Sequence, residues 1–132
     1  MTRERRERLV DLRRDLHRHP EPAWCEYRTT ARVVEEIERI GVDGVLVGPE
    51  LLDADARMAV PDDASLSEWH DRARAAGARA DVLDACAGGH TGALATVERG
   101  DGPTVALRVD IDGLPVTESD DPDHVPAAEG FR

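Results

Sequence analysis

Apolar side chains recur at three- and four-residue intervals in the first third of the chain and alternate with polar ones near residue 110. The two rhythms predict different elements. Leu9, Leu12 and Leu16 form one stripe of "TRERRERLVDLRRDLHRH", which predicts an amphipathic helix ended by Pro20 and Pro22. In "YRTTARVVEEIERIG" the stripe passes through Val33 or Val34, Ile37 and Ile40, and Gly41 stands where a C-cap glycine belongs. Val45 to Val47 reads as a short strand closed by Gly48. Residues 49–89 are rich in alanine, aspartate and arginine and predict a helical insertion. Within it, Ser65 and Glu68 are placed as a capping box ahead of "LSEWHDRARAAG", and a second short helix from Asp81 to Cys86 stops at Gly88 and Gly89. "TGALATVERGDGPTVALRVDIDGLPV" then holds two apolar strands about a tight turn at Arg99 to Pro103, most simply a hairpin. The tail 117–132 has no periodicity and no element to tie it down.

Composition narrows the setting. The 132 residues allow one domain, and no apolar run approaches the ~20 residues of a membrane span. The amino terminus is densely charged where an export signal would carry an apolar core, so the expected location is cytoplasmic. With 28 acidic residues against 17 basic ones, all arginine, the net charge is −11. A phosphate backbone or an anionic membrane would repel such a surface, so neither nucleic acid nor membrane is an expected partner. Cys25 and Cys86 make neither a disulfide framework nor a Cys-x-x-Cys knuckle and are expected to be packing residues.

The candidate chemistry lies at the end of the second predicted strand. Asp110 and Asp112 are two residues apart, so on a strand they share one face with side chains ~7 Å apart. Two such carboxylates can share a hard divalent ion, orient a ligating histidine, or simply solvate a strand end. Gly113 and Pro115 end regular pairing there, and ligand sites of open α/β sheets lie at carboxyl ends of strands. His17 and His19 point to nearly opposite sides of their helix, and His70, His90 and His124 are each isolated in sequence, so structural roles are expected for all five. There is no His-Glu-x-x-His, no Gly-x-Ser-x-Gly and no phosphate-cradling glycine loop.

Four stretches together carry a resemblance: "LRRDLHRHPEPAWCEYRTT", "ARMAVPDDASLSEWHDRARAAGA", "AGGHTGALATVERGDGPTVALRVDIDGLPVTES" and "HVPAAEGF". They resemble the amino-terminal part of the co-catalytic metal amidohydrolases related to aminoacylases and auxin-conjugate hydrolases, with "RMAVP" similar to the A-type chains of the aminobenzoyl-glutamate hydrolases. The resemblance implies an α/β fold in which residues 1–132 form the amino-terminal part of a three-layer zinc-peptidase-like catalytic domain, helices packed on a mixed sheet. It implies that Asp112 orients the metal site and that Asp110 stands where wider relatives carry a histidine ligand, with Gly113 in a place more usually alanine. It also implies two divalent ions, zinc or manganese, in the complete enzyme, and a small-molecule amide substrate such as an N-acyl amino acid or aminobenzoyl-glutamate. The family's Cys/His motif, Glu-Glu pair and distant histidine have no counterpart here, so this chain is expected to hold no metal tightly and to be inactive by itself. A second subunit or a carboxy-terminal part would supply them. The alternatives are a non-catalytic acidic α/β interaction domain or half of a split enzyme. Apolar strand edges left unpaired would favour self-association.

Overall fold

The computed structural model describes residues 2–114 and 116–132. Helix α1 spans Arg3–Arg18 and α2 spans Tyr27–Ile40; strand β1 is Gly44–Val47. Two 3-10 turns at Gly48–Glu50 and Ala54–Ala56 lead to α3, Asp63–Ala75, and α4, Ala80–Ala85. Strand β2 is Ala93–Thr96, and a short α5 spans Val125–Ala128. Helices α1 to α4 thus form close to where the periodicity puts them, and Gly41 takes the left-handed φ of 84° that ends α2.

The core forms between α2 and the 49–89 segment. Tyr27, Ala31 and Val34 lie on one face of α2 at helical spacing, and they cluster with Leu66 and Ala73 of α3 and with Val82, Leu83 and Cys86 in and after α4. Val34, and not Val33, carries the stripe inward, while Ile40 ends exposed. Cys25 and Cys86 are free and buried in this cluster, and burial pushes both thiols up to about 11. At neutral pH they remain protonated and act as small apolar side chains.

Helix α1 is attached differently. None of its residues is buried, and Leu9 is exposed, so its stripe is only partly used. Charge holds it to α2: Arg8 donates twice to Glu36, at 2.7 and 3.0 Å, and Asp15 accepts from Arg28 at 2.8 Å and from Arg32 at 3.2 Å. Burial works to raise the Asp15 carboxyl, but the two guanidinium groups outweigh it and hold the group below its ordinary value.

Three local expectations are corrected. The hairpin does not form: β2 pairs antiparallel with β1, Val45 opposite Ala95 and Leu46 opposite Leu94, across the helical insertion. The apolar stretch 104–111 is in neither helix nor strand and none of its backbone groups bonds another among the described residues. Alternation signals a strand without naming its partner, and the partner of β2 is non-local. The capping box also fails, because α3 begins three residues earlier. Asp62 is its N-cap and accepts from the Ser65 N–H at 2.7 Å, while Glu68 pairs with Arg72 one turn on at 2.5 Å. Finally, the tail is anchored. Phe131 is buried beneath the Arg14 guanidinium, 4.7 Å from its ring centroid, and Arg18 donates to the Gly130 carbonyl at 2.7 Å. A four-residue helix is too short to show a period, so the sequence pattern misses it.

Candidate functional site

An open cleft of about 760 Å³ lies where the end of α1, the loop before α2 and residues 110–118 meet. His17, Glu21, Asp110, Asp112 and Glu118 are among the side chains lining it. No helix in the described residues is long and apolar enough to cross a membrane.

Glu21 organises the floor. It is 5% exposed, and its two carboxylate oxygens accept the backbone N–H groups of Arg28 (2.9 Å) and Thr29 (2.7 Å), which begin α2 and have no intrahelical acceptor. Its main-chain carbonyl accepts the Gly113 N–H at 2.7 Å, tying the 110–114 segment to the helix start. A Cβ at Gly113 would lie 2.6 Å from Pro20 Cβ and 3.1 Å from Pro20 Cα. The glycine therefore lets the segment press onto the loop. Gly113→Ala is expected to cost about 1–3 kcal/mol through overpacking. A thermal melt unchanged from the parent chain would show that the contact gives way freely.

Beside Glu21 lies Glu26, 8% exposed, whose Oε2 accepts from the Thr91 hydroxyl. Burial raises its carboxyl above the ordinary 4.5; the Thr91 bond works against that, and the Asp112 and Glu21 charges add to it. Burial likewise raises Glu21, offset in part by its backbone donors. A carboxyl raised on folding makes the folded chain hold its proton more tightly than the unfolded one. The stability penalty is full above the folded value and fades as pH falls toward 4.5. Glu26→Gln, which keeps an acceptor for Thr91, is accordingly expected to melt higher than the parent chain at pH 8. The gap should close as pH approaches 4.5, and a gap constant with pH would contradict the assignment.

The two acids singled out from sequence are brought to the cleft but differ in company. Asp110 is exposed and pairs with Arg108 at 2.7 Å. Asp112 is exposed, has no ion-pair or hydrogen-bond partner among the described residues, and lies near enough to Glu26 for its charge to be felt there. A third arrangement was not legible in sequence. Glu118 lies between His17 and His124, with Nε2 atoms 2.7 and 2.9 Å from its two oxygens. The His124 hydrogen bond is the main reason its carboxyl sits below the ordinary value. His70 meets the Leu83 carbonyl, His90 the Ala87 carbonyl and His19 the Asp15 carbonyl. Among the described residues, no group of three or more His, Cys, Asp or Glu side chains is arranged to hold a metal ion. The donors of this chain therefore do not by themselves fit the two ions that the resemblance implies.

No family model matches the chain. Individual relatives do. It is 42% identical over 124 residues to indole-3-acetyl-aspartic acid hydrolase of Enterobacter agglomerans, covering 93% of this chain and 28% of that protein. It is 39% identical over 125 residues to the A-type chain of p-aminobenzoyl-glutamate hydrolase from Escherichia coli K12, covering 94% and 28%. The crystal structure of an aminobenzoyl-glutamate utilization protein from Klebsiella pneumoniae superposes with a TM-score of 0.78 at 39% identity, over 82% of this chain and 27% of that one. The chain thus spans under a third of the length of the relatives it matches. Over nearly all of its length it is homologous to the amino-terminal part of the aminobenzoyl-glutamate and indole-acetyl-aspartate hydrolases.

Proposed function

We propose that this chain is the amino-terminal portion of a metal-dependent amidohydrolase that cleaves an N-acyl or aminobenzoyl amino acid, aminobenzoyl-glutamate among them, and that it is inactive by itself. The observation that carries the reading is 39–42% identity across nearly the whole chain to two proteins named as hydrolases of such amides. In this reading residues 1–132 are part of a three-layer catalytic domain, with 49–89 as an insertion and 117–132 as a tail that carries α5 and is anchored to α1. Asp112, unpaired among the described residues, lines the cleft as a positioning residue for a centre completed by other polypeptide. Asp110, neutralised by Arg108, is the weaker candidate for a metal ligand. Two zinc or manganese ions belong to the complete enzyme, and their ligands come chiefly from outside this chain. A graft tests the proposal. Exchanging the matched 28% of the Escherichia coli relative for this chain should preserve hydrolysis of p-aminobenzoyl-glutamate. A well-folded graft without activity would count against it.

A second reading rests on a different feature. Val105, Leu107 and Val109 are exposed, as an interaction domain or half of a split enzyme would require of a surface to be covered. Mixing this chain with the remainder of a relative and finding stable binding without turnover would favour the interaction domain.

A further inference from the structure

We infer that Trp24 is a positioning residue for the cleft: its side chain, gripped by the 49–89 insertion, holds the turn before α2 in shape and, through the Glu21 carbonyl, fixes the place of Asp112. The turn runs from Pro22 to Cys25 and is closed by the Cys25 N–H, which donates to the Pro22 carbonyl at 2.9 Å. Trp24 is its third residue and has a φ of 66°. That region suits glycine, and a bulky side chain enters it only where its surroundings impose it. Such an imposed conformation costs free energy and persists at sites that need a fixed geometry.

The insertion supplies what imposes it. The Trp24 indole N–H donates to the Met58 carbonyl at 2.9 Å. The Arg57 guanidinium lies 5.6 Å from the ring centroid and donates to the Gly88 carbonyl at 2.9 Å. At the far end of the insertion a Cβ on Gly89 would lie 3.1 Å from the Trp24 carbonyl oxygen, so glycine there lets the backbone close on the turn. Met58 leads into Ala59, whose φ of 54° is also left-handed. Two residues other than glycine thus hold left-handed backbone on segments joined by the indole hydrogen bond, and neither local sequence accounts for it. The place of the turn gives this grip its consequence. Glu21 precedes it and Glu26 follows it, both buried, and the Glu21 carbonyl accepts the N–H of Gly113, the neighbour of Asp112, at 2.7 Å. Asp112 makes no side-chain hydrogen bond among the described residues, so its place is set through the backbone, where this tie acts. The effect on turnover rests on the hydrolase reading, whereas the placement of Gly113 does not.

Native-state amide hydrogen exchange of the 132-residue chain is the first test. Trp24→Phe keeps a ring beneath Arg57 and removes the N–H that reaches Met58. The Gly113 amide should then exchange at least about threefold faster, because its tie to Glu21 opens more often, while the Leu83 and Cys86 amides of the core keep their parent rates. Arg57→Gln, on the insertion's side of the grip, should move Gly113 in the same direction and carries the measurement if Trp24→Phe does not fold. In the graft on the Escherichia coli relative, Trp24→Phe should lower kcat about tenfold at unchanged KM, the mark of a misplaced group and not of lost binding. Once Asp112→Asn is present it should cost nothing further, since its effect passes through Asp112. An unchanged Gly113 rate, core amides accelerated by the same factor, or a kcat loss that adds in full to that of Asp112→Asn would overturn the proposal. A graft inactive with Trp24 in place counts against the hydrolase reading, and the exchange pattern then decides the proposal by itself.

Discussion

Leu83→Ala is expected to destabilise the chain by about 2–5 kcal/mol, the range for emptying a fully buried leucine site. Leu83 has no exposed surface and stands in α4, among Tyr27, Ala31 and Val34 of α2 and Leu66 and Ala73 of α3. The loss combines the transfer free energy of the missing methyl groups with the cavity left behind. A domain of this size has roughly 5–15 kcal/mol in total, so the variant should unfold at a much lower urea midpoint with an unchanged denaturant slope. The size of the effect decides what the 49–89 segment is energetically. A loss below about 1 kcal/mol would mean that the segment docks loosely and the core lies elsewhere.

Asp112→Asn, made in the graft that carries this chain on the rest of its Escherichia coli relative, should lower kcat by about 10- to 100-fold, the usual cost of losing a carboxylate that orients a metal centre. Asp112 is exposed and free of partners among the described residues, so the substitution should leave the melting temperature unchanged. Asp110→Asn should do much less, because that carboxylate already spends its charge on Arg108. Equal losses from the two would mark Asp110 as a ligand, and no loss from Asp112→Asn would remove it from the site.

What was legible in the chain followed the range of the forces involved. Helix α2 was legible from the spacing of Val33 or Val34, Ile37 and Ile40 and from Gly41 at its end, but of these only Val34 is buried, and the face that packs also takes in Tyr27 and Ala31. Asp110 and Asp112 were found from a strand end that the cleft does use, although residues 104–111 are not in a strand among the described residues. Pairings between distant positions were hidden. Nothing local distinguishes a hairpin partner for β2 from β1, which lies beyond the whole insertion. Nor does any spacing relate His17 to Glu118 and His124, or the Glu21 carboxylate to the backbone N–H groups of Arg28 and Thr29. Glu21 and Glu26 carried one readable signal, acidic residues just before an apolar helical period, which fits capping a helix start as well as a site. Asp62 and Ser65 are both good N-cap residues, and in the structure Asp62 takes the role by accepting the Ser65 N–H, a choice local preference does not make.

The most direct measurement is p-aminobenzoyl-glutamate hydrolysis by the purified 132-residue chain, supplied with zinc or manganese, alone and then mixed with the remainder of its Escherichia coli relative. The account predicts silence from the chain alone and turnover only once the missing ligands arrive in the mixture. Sustained turnover by the chain alone would contradict it.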